Sequence, residues 1–186
     1  MTQWRIRQAV AAMRAGGVVA YPTEAVWGLG CDPADPEAFA TVLAMKRRPL
    51  EKGVILIAAE PEQLRSWLAD PSPEVLGRLA APRPVPTTWL VEAARGVPPW
   101  ITGGRDRVAV RVTRHPVARA LCAAFGGPVV STSANPAGLP PARDALRVRC
   151  YFRGWPLLLV PGPLGGALRP SEIRDLKSGE VVRPGG

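Results

Sequence analysis

Four cationic side chains lie within one stretch of seven residues, at Lys46, Arg47, Arg48 and Lys52. Such a density of positive charge suits a triphosphate, because Lys and Arg neutralise phosphate oxygens and stabilise the charge that develops as pyrophosphate leaves. A structural role is the alternative, since cations at the end of a helix interact favourably with its dipole. That role requires only one or two cations, so the cluster favours anion binding.

A second group of polar side chains follows the apolar pair Val129-Val130. It contains the hydroxyls of Ser131 and Ser133 and the amide of Asn135. Backbone N–H groups and hydroxyls in such a loop bind phosphate. Ser and Asn are also the ordinary residues of turns. The local sequence leaves both interpretations open.

Thr23, Glu24 and Arg111 are further candidates for ligand contacts. Thr23 and Glu24 follow an apolar run at residues 18–21, and sites in open α/β sheets form just beyond strand ends. Arg111 lies in an alternating segment, where its guanidinium can hold a substrate carboxylate through two hydrogen bonds. A tight turn with Thr23 as a helix cap, and a structural ion pair of Arg111, are the competing interpretations. The local sequence favours these structural roles.

The side chains of common acid–base, nucleophilic and metal chemistry are scarce. The sequence has no G-x-x-x-x-G-K-[ST] loop, which excludes a P-loop enzyme. The single histidine, His115, precedes Pro116 at a predicted helix start, where we expect it to cap the helix or lie at the surface. No Ser-His-Asp set or metal cage is recognisable. We therefore assign no catalytic side chain and no metal ligand, and this inventory suits a reaction that works by positioning and phosphate neutralisation.

Short elements that alternate along the chain must position these candidates. Thr2 is predicted to cap a first helix that ends at Gly16-Gly17. Further helices are predicted over residues 36–46, 61–68, 73–79, 116–125 and 143–152. Strands are predicted over residues 18–21, 54–57, 87–91, 107–113, 129–131 and 157–160, with a closing hairpin of residues 171–174 and 180–183. This alternation predicts one α/β domain, residues 1–186, with a twisted mixed sheet.

The composition indicates a folded chain with an affinity for anions. Its 186 residues, 47% of them hydrophobic, suffice for one core and exclude a disordered chain. The net charge of +9 favours polyanions, although a merely basic surface explains it equally well. No apolar run approaches the roughly 20 residues of a membrane helix, and no signal peptide is recognisable. Three widely spaced cysteines fit free buried thiols and a cytoplasmic location.

Taken in order, these clusters resemble the YrdC-like family of threonylcarbamoyl-AMP synthases over almost the whole chain. Lys46 and Arg48 match the family's K-x-R motif, and Lys52 matches its downstream basic position. Ser133 and Asn135 match its S-x-N motif. The Tyr-Pro-Thr-Glu opening, the Val-Ala-Val-Arg strand and the Ser-Glu-Ile-Arg-Asp segment also occur in the family's order. The ordered set of matches is much more specific than any one of them.

The resemblance implies a fold, a reaction and a set of ligands. The implied fold is a single α/β domain whose twisted mixed sheet, flanked by helices, surrounds a basic concave cleft. The implied reaction forms threonylcarbamoyl-adenylate and pyrophosphate from L-threonine, bicarbonate and ATP, with Mg²⁺ accompanying ATP, for modification of a tRNA adenosine next to the anticodon. The residues implied to bind ATP are Lys46, Arg48, Lys52, Ser131, Ser133, Asn135 and Arg183. The residues implied to bind threonine are Thr23, Arg111 and Ser171, with the carboxylate on Arg111.

Two departures from the family pattern affect the implied threonine pocket. Many relatives have a second Thr where this chain has Ala25, and a His where it has Ile57. We therefore expect shape to matter more than hydrogen bonding in amino-acid selection, with serine a poor but measurable substrate. The chain matches the short form of the family. Transfer to tRNA is thus expected to require separate proteins, and direct tRNA binding is left open.

Two other functions remain open at this stage. A net charge of +9 and a concave basic face would also serve a non-catalytic module that binds double-stranded RNA or tRNA. A carbamoyl-phosphate-using domain of the hydrogenase-maturation type shares the fold. Such domains normally belong to a much longer chain with zinc-finger motifs, which this sequence lacks.

Overall fold

Helices and strands alternate in the computed structural model, which describes residues 3–185. The helices are α1 (Gln3–Arg14), α2 (Pro36–Lys46), α3 (Pro73–Ala80), α4 (Pro99–Thr102), α5 (Pro116–Phe125) and α6 (Ala145–Tyr151), and 3₁₀ turns span Leu50–Lys52 and Pro61–Trp67. The strands are β1 (Val18–Pro22), β2 (Trp27–Gly30), β3 (Ile55–Ala58), β4 (Thr87–Glu92), β5 (Arg107–Val112), β6 (Val129–Ser133), β7 (Leu157–Leu159), β8 (Glu172–Asp175) and β9 (Val181–Arg183). The predicted cap at Thr2 and the two ends of the predicted domain lie outside the described residues.

The strands of the described residues form one mixed sheet in the order β7-β1-β2-β6-β3-β5-β4-β8-β9. Neighbouring strands are parallel at β7-β1, β3-β5 and β4-β8 and antiparallel at the other junctions. The closing hairpin predicted from the sequence is the antiparallel pair β8-β9. Neighbours that are distant in sequence, such as β2 and β6, bring separate polar segments to one region of the sheet.

Apolar side chains pack on both faces of this sheet. Val108 and Val110 are fully buried in one cluster, together with Phe39 of α2. The opposite face carries a second cluster, in which Met13 of α1 and Leu121 of α5 pack with β1, β3 and β6. Each such side chain contributes roughly 1.5–3 kcal/mol by leaving water. The predicted α/β fold, a mixed sheet flanked by helices, is confirmed.

Helix α2 has well-defined ends, and its end sets the position of the basic cluster. The carboxylate of Asp35 accepts hydrogen bonds from the backbone N–H groups of Glu37 and Ala38, and Pro36 occupies the first turn. At the other end Arg47 adopts the left-handed conformation, with φ +50°. The backbone N–H of Arg48 then donates to the carbonyl of Leu43, 3.0 Å away, which closes the helix and redirects the chain.

Strand β2 is the main element that the sequence analysis missed. The turn before it does not start a helix, so the predicted capping role of Thr23 is wrong. Thr23 instead closes a β1-β2 hairpin, because its N–H and its hydroxyl both donate to the carbonyl of Val26, at 3.1 and 2.7 Å. A Cβ at Gly30 would lie 2.5 Å from the carbonyl oxygen of Val130, so the glycine permits close strand packing.

Two further observations concern the burial of the cysteines and the length of the helices. Cys31 and Cys122 are buried as predicted, whereas Cys150 is exposed, so the prediction of three buried thiols is wrong. In the part of the chain that the structure describes, none of the helices has the length and hydropathy of a membrane span.

Candidate active site

A cavity of about 790 Å³ lies on the face of the sheet that carries α1 and α5, beyond the part those helices cover. This volume is in the usual range of small-molecule sites. Eight of the ten predicted ligand-binding residues line it: Thr23, Arg48, Lys52, Arg111, Ser131, Ser133, Ser171 and Arg183. They come from five separate stretches of sequence, so only the fold brings them together.

Positive charge dominates the lining of this cavity. The cationic side chains in it are Arg48, Lys52, Arg105, Arg107, Arg111 and Arg183. Burial lowers the pKa of Arg48, and repulsion from the charges of Arg183 and Arg105 lowers it further. A bound polyanion would relieve that repulsion. Among residues 3–185, Glu24 supplies the one carboxylate of the lining.

The sequence analysis missed Arg105 and Arg107. Arg105 follows two glycines in left-handed conformations, Gly103 and Gly104, with φ of +67° and +78°. Arg107 begins β5 and pairs with Asp175 of β8. The only sequence signal was the Gly-Gly pair before two closely spaced arginines, and that signal is common in ordinary loops.

Arg48 is held firmly and still has a free donor. Its Nη2 donates to the carbonyl of Gly53 at 2.9 Å and to that of Lys52 at 3.4 Å. Its Nε is buried without a hydrogen-bond partner. A buried N–H without a partner is costly, so Arg48 keeps one unsatisfied donor within the protein.

Lys46 and Asn135 lie outside the cavity lining. The Nζ of Lys46 donates to the carbonyl oxygens of Ser133 and of Asn135, the latter at 2.8 Å. Burial, followed by the charge of Arg48, lowers the pKa of Lys46 to about 7. The side-chain amide of Asn135 donates to the carbonyl of Leu139 at 2.7 Å. Both residues shape the loop after β6, and a direct contact of either with ATP stays a prediction.

Arg111 and Glu24 form a buried pair that also lines the cavity. The Arg111 Nη2 lies 3.3 Å from the Glu24 Oε2, and the Arg111 Nε has no hydrogen-bond partner. The Glu24 Oε1 accepts from the hydroxyl of Thr113 at 2.7 Å. Burial alone would raise the pKa of Glu24, but Arg111 and the Thr113 hydroxyl outweigh it and lower the pKa. The ionised Glu24 therefore orients Arg111, whose side chain lines the cavity.

The β8-β9 hairpin carries the remaining predicted residues. The hydroxyl oxygens of Ser171 and Thr88 are 2.9 Å apart, and the Nη2 of Arg183 donates to the carbonyl of Ser171 at 3.0 Å. The Glu172 carboxylate accepts from the Nε of Arg174 at 2.8 Å, and that hydrogen bond is the main cause of its lowered pKa. These bonds fix Ser171 and Arg183 against the rest of the site.

The family model for Sua5, YciO and YrdC proteins, described as "Telomere recombination", matches residues 11–185. The chain belongs to the Sua5/YciO/YrdC family. The threonylcarbamoyl-AMP synthase of Alkalilimnicola ehrlichii is 56% identical over 185 residues, which cover 97% of this chain and 96% of that protein. The predicted family resemblance is confirmed.

Two solved structures of the Sua5/YciO/YrdC family share the fold. The structure of P. abyssi Sua5 complexed with L-threonine matches with a TM-score of 0.87 and 33% identity, covering 100% of this chain and 55% of that one. E. coli YciO matches with a TM-score of 0.82 and 27% identity, covering 99% of this chain and 90% of that one. The chain thus spans about half of the longer Sua5 protein.

Ala25 and Ile57, the two positions at which the chain departs from the Sua5/YciO/YrdC pattern, lie in different places. Ala25 lines the cavity, as the sequence analysis expected. Ile57 does not, because it is fully buried in the cluster between the sheet and α5. The expectation that Ile57 makes the pocket less polar is therefore wrong, and only Ala25 has that effect.

His115 is the N-cap residue of α5, as one interpretation from the sequence expected, but it is not a surface residue, so the other interpretation is wrong. It is 4% exposed, and its side chain makes no capping hydrogen bond. Its Nε2 lies 3.0 Å from the carbonyl oxygen of Pro163, and its Nδ1 has no partner. Burial is the main cause of its lowered pKa.

Proposed function

We propose that the cavity is a basic concave cleft that binds ATP and L-threonine together, and that the chain forms threonylcarbamoyl-AMP from them and bicarbonate. One observation carries the proposal: phosphate-binding and carboxylate-binding side chains from five stretches of sequence line a single cavity. The relatives named threonylcarbamoyl-AMP synthase, at 55–56% identity over nearly the whole chain, support it.

The reaction requires positioning and charge neutralisation more than acid–base groups. The threonine amine forms an N–C bond with bicarbonate and water leaves, which gives a carbamate. A carbamate oxygen then bonds to the α-phosphorus of ATP, the bond to the bridging oxygen breaks, and pyrophosphate leaves. Arg48, Lys52 and Arg183 neutralise the phosphates, while Ser131 and Ser133 donate hydrogen bonds to them. Mg²⁺ enters with ATP as part of the substrate.

Threonine occupies the side of the cavity that contains Arg111. Its carboxylate binds the guanidinium, which Glu24 orients from behind. Its side chain lies near Thr23 and Ser171. Because the Thr23 hydroxyl already donates to Val26, the pocket selects by shape as much as by hydrogen bonding. Serine is then a poor but measurable substrate.

We also propose where the enzyme acts and which proteins use its product. Residues 1–186 form one YrdC-like domain that acts in the cytoplasm. Its product is passed to separate proteins that transfer the threonylcarbamoyl group to tRNA, and the +9 charge of the chain assists any direct contact with tRNA. A purely RNA-binding role is less favoured, since the family relatives are named as synthases.

Pyrophosphate release by the purified protein tests this function. We expect release from ATP when threonine and bicarbonate are both present, and none when either is omitted. Tight tRNA binding without pyrophosphate release under any of these conditions would instead support the RNA-binding module.

A further inference from the structure

His115 contacts a segment that is hydrogen-bonded to Thr23 and Glu24, two residues of the cavity lining. This segment, residues 163–167, is here called the strap. The carbonyl oxygen of Pro163 can only accept, so the His115 Nε2 at 3.0 Å carries the proton and donates it. His115 is buried, and its ring therefore fixes one end of the strap from inside the protein.

The strap in turn is bonded to the backbone of the β1-β2 turn. The N–H of Gly165 donates to the carbonyl of Thr23 at 3.0 Å, and the N–H of Ala167 donates to the carbonyl of Glu24 at 2.8 Å. A Cβ at Gly165 would lie 3.0 Å from the Glu24 Cα and 3.2 Å from the His115 ring. Gly165 therefore lies between the ring and the turn, where a Cβ would fit only if its neighbours shifted by a few tenths of an ångström.

The β1-β2 turn connects the strap to Glu24 and, through Glu24, to Arg111. Glu24 accepts from Thr113 and pairs with Arg111, while the backbone N–H of His115 donates to the same Thr113 hydroxyl at 3.3 Å. A displacement of the strap would move the backbone of Glu24 and, with it, the carboxylate that orients Arg111. The basic cluster at the ATP side lies on a different segment and makes no hydrogen bond to the strap among the described residues.

We propose that His115 is a positioning residue for amino-acid binding: through the strap it fixes Thr23 and Glu24, and through Glu24 it sets the orientation of Arg111. This inference rests on the proposed function, because it assigns threonine to the Arg111 side of the cavity. A side chain that only fills space in the core would affect the stability of the protein but not the KM for either ligand. A positioning residue affects the KM for threonine and leaves the KM for ATP unchanged.

The test compares His115→Leu with His115→Gln in steady-state pyrophosphate release by the full chain. Leucine fills the space without a donor, whereas glutamine retains an N–H near the position of Nε2. Loss of this hydrogen bond releases the Pro163 end of the strap from His115, so we expect His115→Leu to raise the KM for threonine about tenfold. The KM for ATP should stay within about twofold, and His115→Gln should recover most of the threonine affinity.

Gly165→Ala provides a second variant in case His115→Leu does not fold. It should raise the KM for threonine selectively, because the new Cβ pushes the strap away from Glu24. Gly77→Ala in α3 is the matched control, since no heavy atom lies within 4 Å of a Cβ there. Equal changes in both KM values, or none, in an active variant would overturn the role of His115. Absence of activity in the unmodified protein would instead overturn the proposed function.

Discussion

Arg48 and Arg111 both line the cavity, and each guanidinium group is anchored at one end. Each is held through its Nη2, Arg48 by the carbonyls of Gly53 and Lys52 and Arg111 by Glu24, and each has a buried Nε without a partner. Side chains held in this way lose little further freedom when a ligand binds, which increases the stabilisation they give to a transition state.

Replacement of Arg48 by alanine should slow the reaction strongly. A donor aimed at developing phosphate charge is worth about 2–4 kcal/mol of transition-state stabilisation, which would appear in kcat/KM for ATP. Arg47→Ala is the matched control, because Arg47 is exposed and outside the cavity lining. Near-normal adenylate formation by a folded Arg48→Ala variant would contradict the assigned role.

Arg111→Lys tests the carboxylate contact while keeping the charge beside Glu24. Lysine cannot supply the planar pair of donors, so we expect the KM for threonine to rise about tenfold or more. Pyrophosphate release is measured at varied threonine concentration and, separately, at varied ATP concentration, which gives the KM for each ligand. An unchanged threonine dependence would show that the carboxylate binds elsewhere.

The buried amine of Lys46 predicts a pH dependence of stability. Its pKa is about 7 in the folded protein and 10.5 as a model value, so the unfolded chain binds more protons between these limits. The free energy of unfolding should therefore rise with pH in that window, by at most about 1.4 kcal/mol per pH unit. Urea unfolding of the protein and of Lys46→Met between pH 7 and 9 measures it. A stability difference independent of pH would mean that the carbonyls of Ser133 and Asn135 keep Lys46 protonated.

At the scale of elements, long apolar or well-capped segments were predictable and short glycine-rich ones were not. Helix α2 was predicted with its observed bounds, because Pro36 and the basic residues mark its ends. Strand β2 was not, because Gly28 and Gly30 weaken any local strand signal. Its pairing with β1 and β6 depends on tertiary packing, which no local pattern contains.

Gly30→Ala should destabilise the fold through that packing. Its Cβ would overlap the Val130 carbonyl and lie 2.8 Å from the Tyr21 ring, whereas a Cβ at Gly28 has no contact shorter than 3.3 Å. We expect Gly30→Ala to lower the free energy of unfolding by about 2 kcal/mol more than Gly28→Ala does. Chemical denaturation of both variants provides the comparison, and equal losses would contradict the close approach at Gly30.

At the scale of the whole molecule, the sequence predicted many of the polar residues that line the cavity but not the geometry that connects them. The family's motifs occur in order along the chain, and this order predicted that Arg48, Ser133 and Arg111 belong to one site although they are far apart in sequence. Arg105 and the internal position of His115 were not predictable, because each depends on how distant loops pack. The same holds for Ile57, whose side chain is buried in the apolar cluster beside α5 and does not line the cavity.

The most direct measurement follows the labelled carbon of ¹³C-bicarbonate by mass spectrometry after incubation with ATP, L-threonine and the purified protein. We expect an adenylate heavier than AMP by the threonylcarbamoyl group, containing one ¹³C atom and formed in equal amount to pyrophosphate. Its formation should depend on threonine and be nearly abolished by Arg48→Ala. An adenylate without the ¹³C label, or unmodified ATP in the presence of all three substrates, would contradict the proposed synthase activity.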